Sequence, residues 1–312
     1  MVTVRDDVLA VLAEEFAAHR SHLVGVGYRL TGRLTDAEDA VQEAWLRLSG
    51  LDDEQRSQIR NLRAWLTTVV GRLCLDRLRS SAVQRERYVG EWLPEPIVTP
   101  LGAPRSDDPL ETVVRTDDVR LAAMVVLDRL TPEQRVAFVL HDAFDVPFAE
   151  IGEILGCAQA TARQHASRGR RAAADADPPP RAALDEQRVI IEQLLTAITG
   201  GDLPAVVRLL HPDAVLVGDS DGKARTSRRP MHGADKISRF LYGLVRMYGE
   251  HRLLAGELVL VNGDLGMAIP ELPAEGDYHE LSRRVTTFAV RDGKVTNVYD
   301  IVNPDKLRHL DV

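Results

Sequence analysis

The chain has 312 residues, enough for two or three domains, and its 45% hydrophobic and 28% charged residues are typical of a globular protein in water. Its two cysteines, Cys74 and Cys157, are too few for a disulfide framework, which indicates a reducing compartment; a redox switch between them is the less favoured alternative. No charged-then-apolar leader opens the sequence and no apolar run approaches about 20 residues, so neither secretion nor a membrane span is expected. We therefore expect an acidic cytoplasmic protein, with a formal net charge of −8.

The first part of the chain, from Val8 to about Ser81, has a helical pattern with breaks near Thr31-Gly32 and around Asp52 to Asn61. Apolar residues at three- and four-residue spacing predict a buried stripe between residues 35 and 48. The stripe consists of Ala37, Ala40, Val41, Ala44, Trp45 and Leu48. Thr35 and Glu38 predict a capping box at the start of this helix. Its opposite face is acidic and carries Asp36, Asp39, Gln42 and Glu43, although such residues at a helix N-terminus are often simply solvated.

The next helix has the opposite charge. Between residues 60 and 87 stand seven arginines, at positions 60, 63, 72, 77, 79, 85 and 87, against Asp76 and Glu86. Its apolar stripe consists of Trp65, Leu66, Val69, Val70, Leu73 and Leu78. A domain with one acidic and one basic helix suits a protein that binds a basic protein surface on one side and nucleic acid on the other. The alternative is an ordinary small bundle whose two faces happen to differ.

From about Ala82 to Pro109 the periodicity fails and five prolines interrupt the chain, which predicts a partly extended linker. Trp92 is unusual in such a segment, because a solvated tryptophan leaves a large apolar area exposed. We therefore expect Trp92 to dock on a neighbouring domain. A further helix is predicted from Leu110 to Leu130.

The segment from Thr131 to Ala173 has the pattern of a helix-turn-helix. Thr131 and Gln134 predict a capping box, and a short helix from Phe148 to Leu155 should end at Gly156, which tolerates a left-handed backbone. The last helix is basic, with no acidic residue before Asp175. It carries Arg163, His165, Arg168, Arg170 and Arg171, and Gln164 and Ser167 share one side with Arg163 and Arg168. This mixture of hydrogen-bonding groups favours duplex DNA as the partner, with a merely solvated basic face as the alternative.

After Asp177 and three prolines the pattern changes. Helices are predicted at about 185–199, 203–210 and 234–248, and β-like runs at 214–218, 253–262, 265–269, 282–291 and 294–302. Asn262-Gly263-Asp264 and Asp292-Gly293 are typical of hairpin turns. Helices followed by an antiparallel sheet predict an α+β cone that can enclose a small pocket.

Several motifs make the chain recognisable as a member of a family. TGRLTDAEDAVQEAWLRL and LRAWLTTVVGRLCLDRLR resemble the region-two domain of bacterial extracytoplasmic-function sigma factors, and residues 131–173 resemble their region-four domain. The C-terminal part resembles a SnoaL-like domain, the small cone also found in nuclear transport factor and in some cyclases and isomerases. WLPEP at Trp92–Pro96 and NPDKL at Asn303–Leu307 match the sigma-factor group with such a domain fused at its C-terminus. The loop at Asp219–Lys223 reads DSDGK and departs from that group's DGGGK pattern.

The resemblance implies a multidomain fold with two all-α sigma domains and an α+β cone-shaped SnoaL-like domain. The expected boundaries are 1–81 for region two, 82–109 for the linker, 110–176 for region four, 177–184 for a second linker and 185–312 for the SnoaL-like domain.

The resemblance also implies a sigma factor that binds core RNA polymerase and directs initiation at specific promoters. Its partners would be the β′ clamp helices, the β flap and promoter DNA. The residues expected to bind the β′ clamp helices are Asp36, Glu38, Asp39, Gln42 and Glu43. Those expected at the melted minus-ten element are Asn61, Arg63, Trp65, Arg72, Arg77 and Arg79, where Trp65 either stacks on a base or belongs to the core. Those expected at the minus-thirty-five element are Arg163, Gln164, Ser167 and Arg168 on bases and Arg170 and Arg171 on phosphates.

For the C-terminal domain the favoured hypothesis is regulation in cis, without a separate anti-sigma factor and with an unidentified small ligand as an option. The residues expected to regulate are Trp92, Pro94, Glu95, Pro96, Asp219, Gly222, Lys223, Asn303, Pro304, Asp305, Lys306 and Leu307. Acid–base candidates for an alternative enzyme are Asp219, His232, Tyr242, Tyr278, His279 and Asp300, but no spacing among them identifies a reaction. No cofactor is expected, and no metal, because His and Cys do not cluster at ligand spacing. A ligand-responsive helix-turn-helix regulator that binds duplex DNA without polymerase is the remaining alternative.

Overall fold

A computed structural model of the chain describes residues 2–85, 88–102 and 119–310. The chain divides into two compact units. The first comprises Met1–Gln84, Arg105–Val119 and Met124–Asp177, and the second comprises Arg85–Pro104, Arg120–Ala123 and Pro178–Val312. Most of the linker therefore belongs to the same unit as the C-terminal domain. Within the described residues, no helix combines the length and the apolar character that crossing a membrane requires.

The described chain before Pro178 is mostly helical. Its helices are α1 Val2–Thr31, α2 Leu34–Gly50, α3 Asp53–Ser57, α4 Leu62–Arg85, α5 Leu121–Asp128, α6 Pro132–Asp142, α7 Phe148–Leu155 and α8 Gln159–Ala176. Of the helix predicted at 110–130, residues 110–118 lie outside the described residues, and α5 forms its later part.

The helix-turn-helix ends follow local chemistry. The Thr131 side chain accepts from the Gln134 backbone N–H and the Gln134 side chain accepts from that of Thr131, so the predicted capping box is confirmed. Gly156 ends α7 with φ at 68°, the left-handed backbone expected there.

The capping box predicted at Thr35 and Glu38 is wrong. Helix α2 begins at Leu34, its N-cap Arg33 lies two residues before the predicted cap, and Arg33 makes no side-chain capping bond. The Arg33 backbone N–H instead donates to the hydroxyl of Thr31, at 3.2 Å, in the turn between α1 and α2. Thr35 therefore lies inside the first turn. The break expected around 52–61 contains the short helix α3, with a capping box between Asp52 and Gln55 that the sequence reading did not identify.

In the first unit, the N-terminal helices contact the helix-turn-helix. The guanidinium of Arg135 in α6 is 1% exposed; its Nε donates to the carbonyl of Arg29 in α1 at 3.0 Å and its Nη1 lies 3.2 Å from Asp128. Gly71 in α4 faces this domain as well: a Cβ built there would lie 3.3 Å from the methyls of Leu140 and Ile154. A small residue at position 71 thus allows close approach.

The described part of the second unit contains a sheet, four α-helices and a short 3₁₀ helix at Pro304–Lys306. The helices are α9 Leu184–Thr199, α10 Leu203–Leu209, α11 Ala234–Tyr248 and α12 Glu250–Leu253. The strands are β1 Val98–Pro100, β2 Leu210–Asp219, β3 Met231–His232, β4 Glu257–Val261, β5 Asp264–Ile269, β6 Arg284–Arg291 and β7 Lys294–Ile301. The strand order is β1-β4-β5-β6-β7-β2-β3, and β2 and β7 are parallel while the other pairs are antiparallel. The predicted hairpins at Asn262-Gly263 and Asp292-Gly293 are confirmed, with positive φ at all four residues.

One strand of this sheet comes from the linker. Strand β1 forms one edge of the sheet and pairs with β4, with Val98 opposite Val261 and Pro100 opposite Val259. Ile97 extends the pairing: its backbone N–H donates to the side chain of Asn262 at 3.0 Å, and its carbonyl accepts from the Asn262 backbone N–H at 2.8 Å. The sequence predicted an extended linker, but not this pairing.

Helices α9, α10 and α11 cover one face of the sheet. Their core residues include Ile191, Leu194, Val206 and Ile237, and those of the sheet include Leu216, Leu265, Phe288 and Val298. Over Gly218 this face is covered by Thr226 and Ser227, because a Cβ at position 218 would lie 2.7 Å from the Ser227 carbonyl oxygen. The α+β architecture predicted for the C-terminal region is confirmed, but the sheet expected to be antiparallel is mixed, because β2 and β7 run parallel.

Candidate functional site

Helix α8 packs closely against α6 through a face of small residues and exposes a polar strip on its opposite face. Ala162, Ala166 and Gly169 are buried, and a Cβ at Gly169 would lie 2.8 Å from that of Phe138 in α6. This close packing leaves the opposite side of α8 open. All six residues predicted to bind the minus-thirty-five element are exposed: Arg163, Gln164, Ser167, Arg168, Arg170 and Arg171.

The six differ in their partners. Arg170 binds the carboxylate of Asp142 at 2.7 and 2.9 Å, Arg171 lies 3.8 Å from Asp175, and Arg163 stands over the ring of Phe148. Among the described residues, none forms a hydrogen bond or ion pair with the side chain of Gln164, Ser167 or Arg168. These three side chains are therefore available to a partner, whereas Arg170 would have to release Asp142.

The residues predicted at the minus-ten element lie on or next to α4. Asn61 is exposed, and its side chain accepts from the Ala64 backbone N–H at 3.1 Å, as a helix cap does. Trp65 is half-buried, so it is neither a fully exposed stacking platform nor a closed core residue. Arg63 donates to Nδ1 of His22 at 3.0 Å. Burial, followed by the charge of Arg63, lowers the pKa of His22 to about 4, so the ring is neutral near pH 7 and accepts that bond.

The other three cations of this set are engaged within the first unit. Arg79 binds the carboxylate of Glu133 at 3.1 and 3.2 Å, and Arg72 donates to the carbonyl of Glu153 at 3.5 Å. Arg77 lies 3.5 Å from Asp39 on α2. Arg72 and Arg79 thus contact the helix-turn-helix domain, which no sequence pattern indicated.

The acidic face of α2 is open but partly neutralised. Glu38, Asp39 and Gln42 are exposed, while Asp36 and Glu43 are half-buried. Asp36 lies 3.5 Å from Arg33, and Glu43 accepts from Arg47 at 3.0 Å.

Beside this face is a groove of about 400 Å³, lined in part by Glu38, Asp39 and Gln42. Its apolar wall is formed by Phe16 and Trp45, whose rings lie 5.2 Å apart. The helical spacing predicts Trp45 as a core residue, and no sequence pattern indicates its contact with Phe16.

A second cluster joins the linker to the C-terminal domain and to the end of the chain. We call it the linker cluster; it consists of Tyr88, Trp92, Leu93, Asp219, Asn303 and Lys306. Asp219 is 0% exposed and accepts from the Leu93 backbone N–H at 2.6 Å, from Lys306 Nζ at 2.5 Å and from the Tyr88 hydroxyl. Lys306 Nζ also donates to the Leu93 carbonyl and lies 4.1 Å from the centre of the Trp92 ring. Asn303 donates to the Tyr88 hydroxyl at 2.7 Å.

Burial and the neighbouring Asp219 carboxylate raise the pKa of Tyr88 far above its ordinary value. Its hydroxyl therefore stays protonated and donates to Asp219.

The remaining regulatory candidates surround this cluster. Pro94, Glu95, Pro96 and Leu307 are buried, and Glu95 lies 3.3 Å from His309. Gly222 is exposed, and a Cβ built there would lie 3.2 Å from the side chain of Val89; Pro304 is also exposed. Lys223 bridges Asp221 at 2.9 Å and Asp305 at 2.5 Å; hydrogen bonding to Asp305 raises the pKa of Lys223, and the same bond lowers that of Asp305. The DSDGK loop and the NPDKL tail thus meet each other and the linker.

The six acid–base candidates do not converge. Asp300 is opposite Gly218 in the β2–β7 pairing and Asp219 is the next residue along β2, so the two carboxylates lie on opposite faces of the sheet. Asp300 accepts from Thr226 at 2.5 Å and from Thr286 at 3.0 Å. His232, Tyr278 and His279 are exposed and Tyr242 is half-buried. In the described ranges, no group of three or more His, Cys, Asp or Glu side chains could hold a metal ion.

Comparison with known proteins identifies the helical domains. Residues 16–83 match the model of the family "Sigma-70 region 2", and residues 120–172 match "Sigma-70, region 4". The fold and these matches define an initiation factor of bacterial transcription.

Similar proteins identify more narrowly the class of initiation factor to which the chain belongs. The chain is 52% identical, over 94% of its length and 92% of the other, to the ECF RNA polymerase sigma factor SigJ of Mycobacterium tuberculosis strain H37Rv. It is 35% identical, over 70% of its length and 72% of the other, to M. tuberculosis SigI. The crystal structure of M. tuberculosis SigJ aligns with a TM-score of 0.79 and 50% identity, over 95% of this chain and 98% of that one. The chain belongs to the extracytoplasmic-function family of RNA polymerase sigma factors, as its motifs predicted.

Membership defines the general activity. A sigma factor binds core RNA polymerase and promoter DNA and directs initiation, and the expected architecture of two helical sigma domains with a C-terminal sheet domain is confirmed.

Proposed function

We propose that this sigma factor is restrained in cis by its C-terminal domain, through the linker cluster. The observation that carries the proposal is the buried Asp219 carboxylate, which binds the linker through Leu93 and the end of the chain through Lys306. The linker connects the two sigma domains in sequence. Because residues 93–100 bind along the C-terminal domain, the linker loses the freedom that a flexible connection between those domains would have.

The contacts inside the first unit support a restrained state. Arg72 and Arg79, expected at the minus-ten element, are bound to region-four groups. Promoter binding by these side chains requires that both contacts break. Release of the linker would favour such a rearrangement only if polymerase or DNA binds the rearranged molecule more tightly.

We assign the interfaces by their exposed chemistry. The strip of Gln164, Ser167 and Arg168 would read the minus-thirty-five element in the major groove, since amide, hydroxyl and guanidinium groups match base edges and phosphates. Helix α4 would hold the minus-ten element. The acidic face of α2 with its groove would bind the β′ clamp helices, and region four would bind the β flap.

Run-off transcription with purified core polymerase tests the restraint. Full-length protein is compared with Lys306→Ala and with a chain lacking residues 303–312. Both changes remove the ammonium that binds Asp219, so each should raise transcription severalfold. Arg308→Ala is the matched control, because Arg308 is exposed and its side chain is hydrogen-bonded to Asp305, not to Asp219 or the linker. Equal activity of all four proteins, each shown to be folded, would rule out restraint through this cluster.

Core binding is tested separately. Asp39→Lys and Glu43→Lys should abolish co-purification with core polymerase, whereas Asp213→Lys, an exposed change in the C-terminal domain, should not. We further propose that restraint needs no separate anti-sigma factor and that the protein acts in the cytoplasm. If full-length protein with core polymerase and no third protein gives low transcription, and Lys306→Ala raises it, no anti-sigma factor is required. We propose no catalytic activity for the C-terminal domain, because its acid–base candidates lie apart.

A further inference from the structure

The surroundings of the Lys306 ammonium are those of a complete cation-binding site. Two oxygens accept hydrogen bonds from it: one of the Asp219 carboxylate, at 2.5 Å, and the Leu93 carbonyl. Two aromatic rings flank it, with Nζ at 4.1 Å from the centre of Trp92 and 5.3 Å from that of Tyr88. Ring faces attract cations most strongly where water is excluded, and only 2% of Lys306 is exposed. We call Tyr88, Trp92, the Leu93 carbonyl and Asp219 the cage.

Contacts that do not involve Lys306 hold the cage together. Tyr88 donates to Asp219, and the Leu93 backbone N–H donates to the same carboxylate at 2.6 Å. The Val302 backbone N–H donates to the Asp219 carbonyl at 2.8 Å, next to the parallel pairing of β2 with β7. Farther along the linker, β1 is paired with β4. These contacts remain without Lys306, so its loss should weaken the hold on the linker without removing the cage, and Lys306 occupies the cage as a ligand would.

The cage also needs a cation. Asp219 is completely buried, and among the described residues its ion pair is with Lys306. A buried carboxylate without a counter-ion is strongly unfavourable, so removal of the lysine side chain leaves a site with both space and charge for a cation.

The acceptor oxygens and the rings select the kind of cation. The two oxygens require N–H groups, which excludes quaternary ammonium ions, and the close approach of Nζ to the Trp92 ring leaves little room for a guanidinium. The lysine side chain that reaches the cage is itself an unbranched alkyl chain, so a ligand of the same shape is an unbranched alkylamine. We propose that the cage is a recognition site for primary alkylammonium ions, occupied in cis by Lys306.

Chemical rescue of Lys306→Ala in the full chain tests this site. Propylammonium chloride replaces the atoms that the substitution removes. It should raise the Tm of Lys306→Ala by several degrees with saturation on the order of a millimolar, as expected for so small a ligand, and raise the Tm of the unmodified protein much less. Propan-1-ol, which lacks the charge, and tetramethylammonium, which lacks N–H groups, should not reproduce the rise. A rise equal for propylammonium and propan-1-ol, or equal in both proteins, would contradict the proposal.

Two further measurements keep the test decisive if Lys306→Ala folds poorly. Asp219→Asn with Lys306→Ala leaves no unpaired buried charge and should bind propylammonium at least tenfold more weakly than Lys306→Ala refolded with the amine. In the unmodified protein, the NMR signals of the Lys306 ε-protons should be shifted upfield by the Trp92 ring and return towards ordinary values in Trp92→Leu. Ordinary ε-proton shifts in the unmodified protein would show that the cage does not exist. None of these readouts uses polymerase, so failure here is distinguishable from failure of the proposed cis restraint.

Discussion

The linker cluster and the contact between regions two and four hold chain segments together by different means. In the linker cluster, a buried carboxylate meets a buried ammonium, with side-chain exposures of 0% and 3%. Between the two sigma regions, the ion pair of Arg79 with Glu133 is 49% and 31% exposed, and close apolar packing surrounds Gly71. Exposed pairs contribute little and are screened by salt, whereas breaking a buried pair leaves an uncompensated charge. The comparison indicates that the Asp219–Lys306 pair holds the linker firmly, whereas the Arg79–Glu133 pair contributes little to a contact between the sigma regions that rests on the packing around Gly71 and on buried Arg135.

The largest effect is expected from Lys306→Ala. Leaving Asp219 unpaired should lower the free energy of unfolding of the C-terminal unit by about 3–5 kcal/mol. Urea unfolding followed by circular dichroism measures this, and limited proteolysis should show earlier cleavage near residues 88–97. Asp219→Asn combined with Lys306→Met should recover much of the loss. A loss below about 1 kcal/mol for Lys306→Ala would mean that the pair behaves like an exposed one.

A large side chain at position 71 should separate the two sigma regions. Leucine at this position has to displace Leu140 and Ile154, and overpacking of this kind costs about 1–3 kcal/mol. Gly71→Leu should therefore lengthen the distance between spin labels at Gln58 and Ala174, measured by electron paramagnetic resonance. Gly50→Leu is the matched control, because nothing lies within 4 Å of a Cβ there. Unchanged distances in folded Gly71→Leu would show that the packing around Gly71 does not hold the sigma regions together.

Tyr88→Phe should weaken the linker cluster without removing its charges. The lost hydroxyl donates to Asp219 and accepts from Asn303, and loss of such a buried bond costs about 1–3 kcal/mol. Urea unfolding measures the change. Tyr278→Phe, an exposed position in the same unit, should be nearly neutral. If the two substitutions change the free energy of unfolding equally, the Tyr88 hydroxyl does not stabilise the linker cluster.

Stability of the first unit should fall in mild acid because of His22. Its pKa of about 4 in the folded state lies below the ordinary 6.5, so the unfolded chain binds more protons between these values. Stability from this group is therefore complete above pH 6.5 and decreases as the pH falls towards 4. His22→Gln should flatten the dependence of the urea midpoint on pH in that window. If the substitution leaves the pH dependence of the urea midpoint unchanged, that dependence is due to other groups.

The smallest effect is expected from Glu133→Gln. The exposed pair with Arg79 should contribute about 0–1 kcal/mol, and the difference from the unmodified protein should vanish in 1 M salt. Urea unfolding at low and high salt measures it. A larger loss that persists in high salt would place this pair in the same energetic class as the linker cluster.

Much of the helical part could be predicted because its signals are local. The Thr131–Gln134 capping box, the end of α7 at Gly156 and the basic face of α8 depend on residues within one or two turns. Even so, the misplaced cap at Thr35 shows that a local pattern can be overridden by a neighbouring turn, here the hydroxyl of Thr31 that accepts from Arg33.

The sequence alone determined the family, the two helical sigma domains and the sheet domain, and it singled out Trp92, Asp219 and Lys306 as regulatory candidates, because motifs and periodicity lie in short stretches of chain. Only the tertiary structure decided which groups meet: Arg79 with Glu133, β1 with β4, and Asp219 with Lys306 across 87 positions. It also decided that Asp219 and Asp300 lie on opposite faces of the sheet. The physical reason is that burial and partner choice are set by segments distant in sequence, and a carboxylate looks the same in the printed sequence whether it is solvated or enclosed beside an ammonium ion.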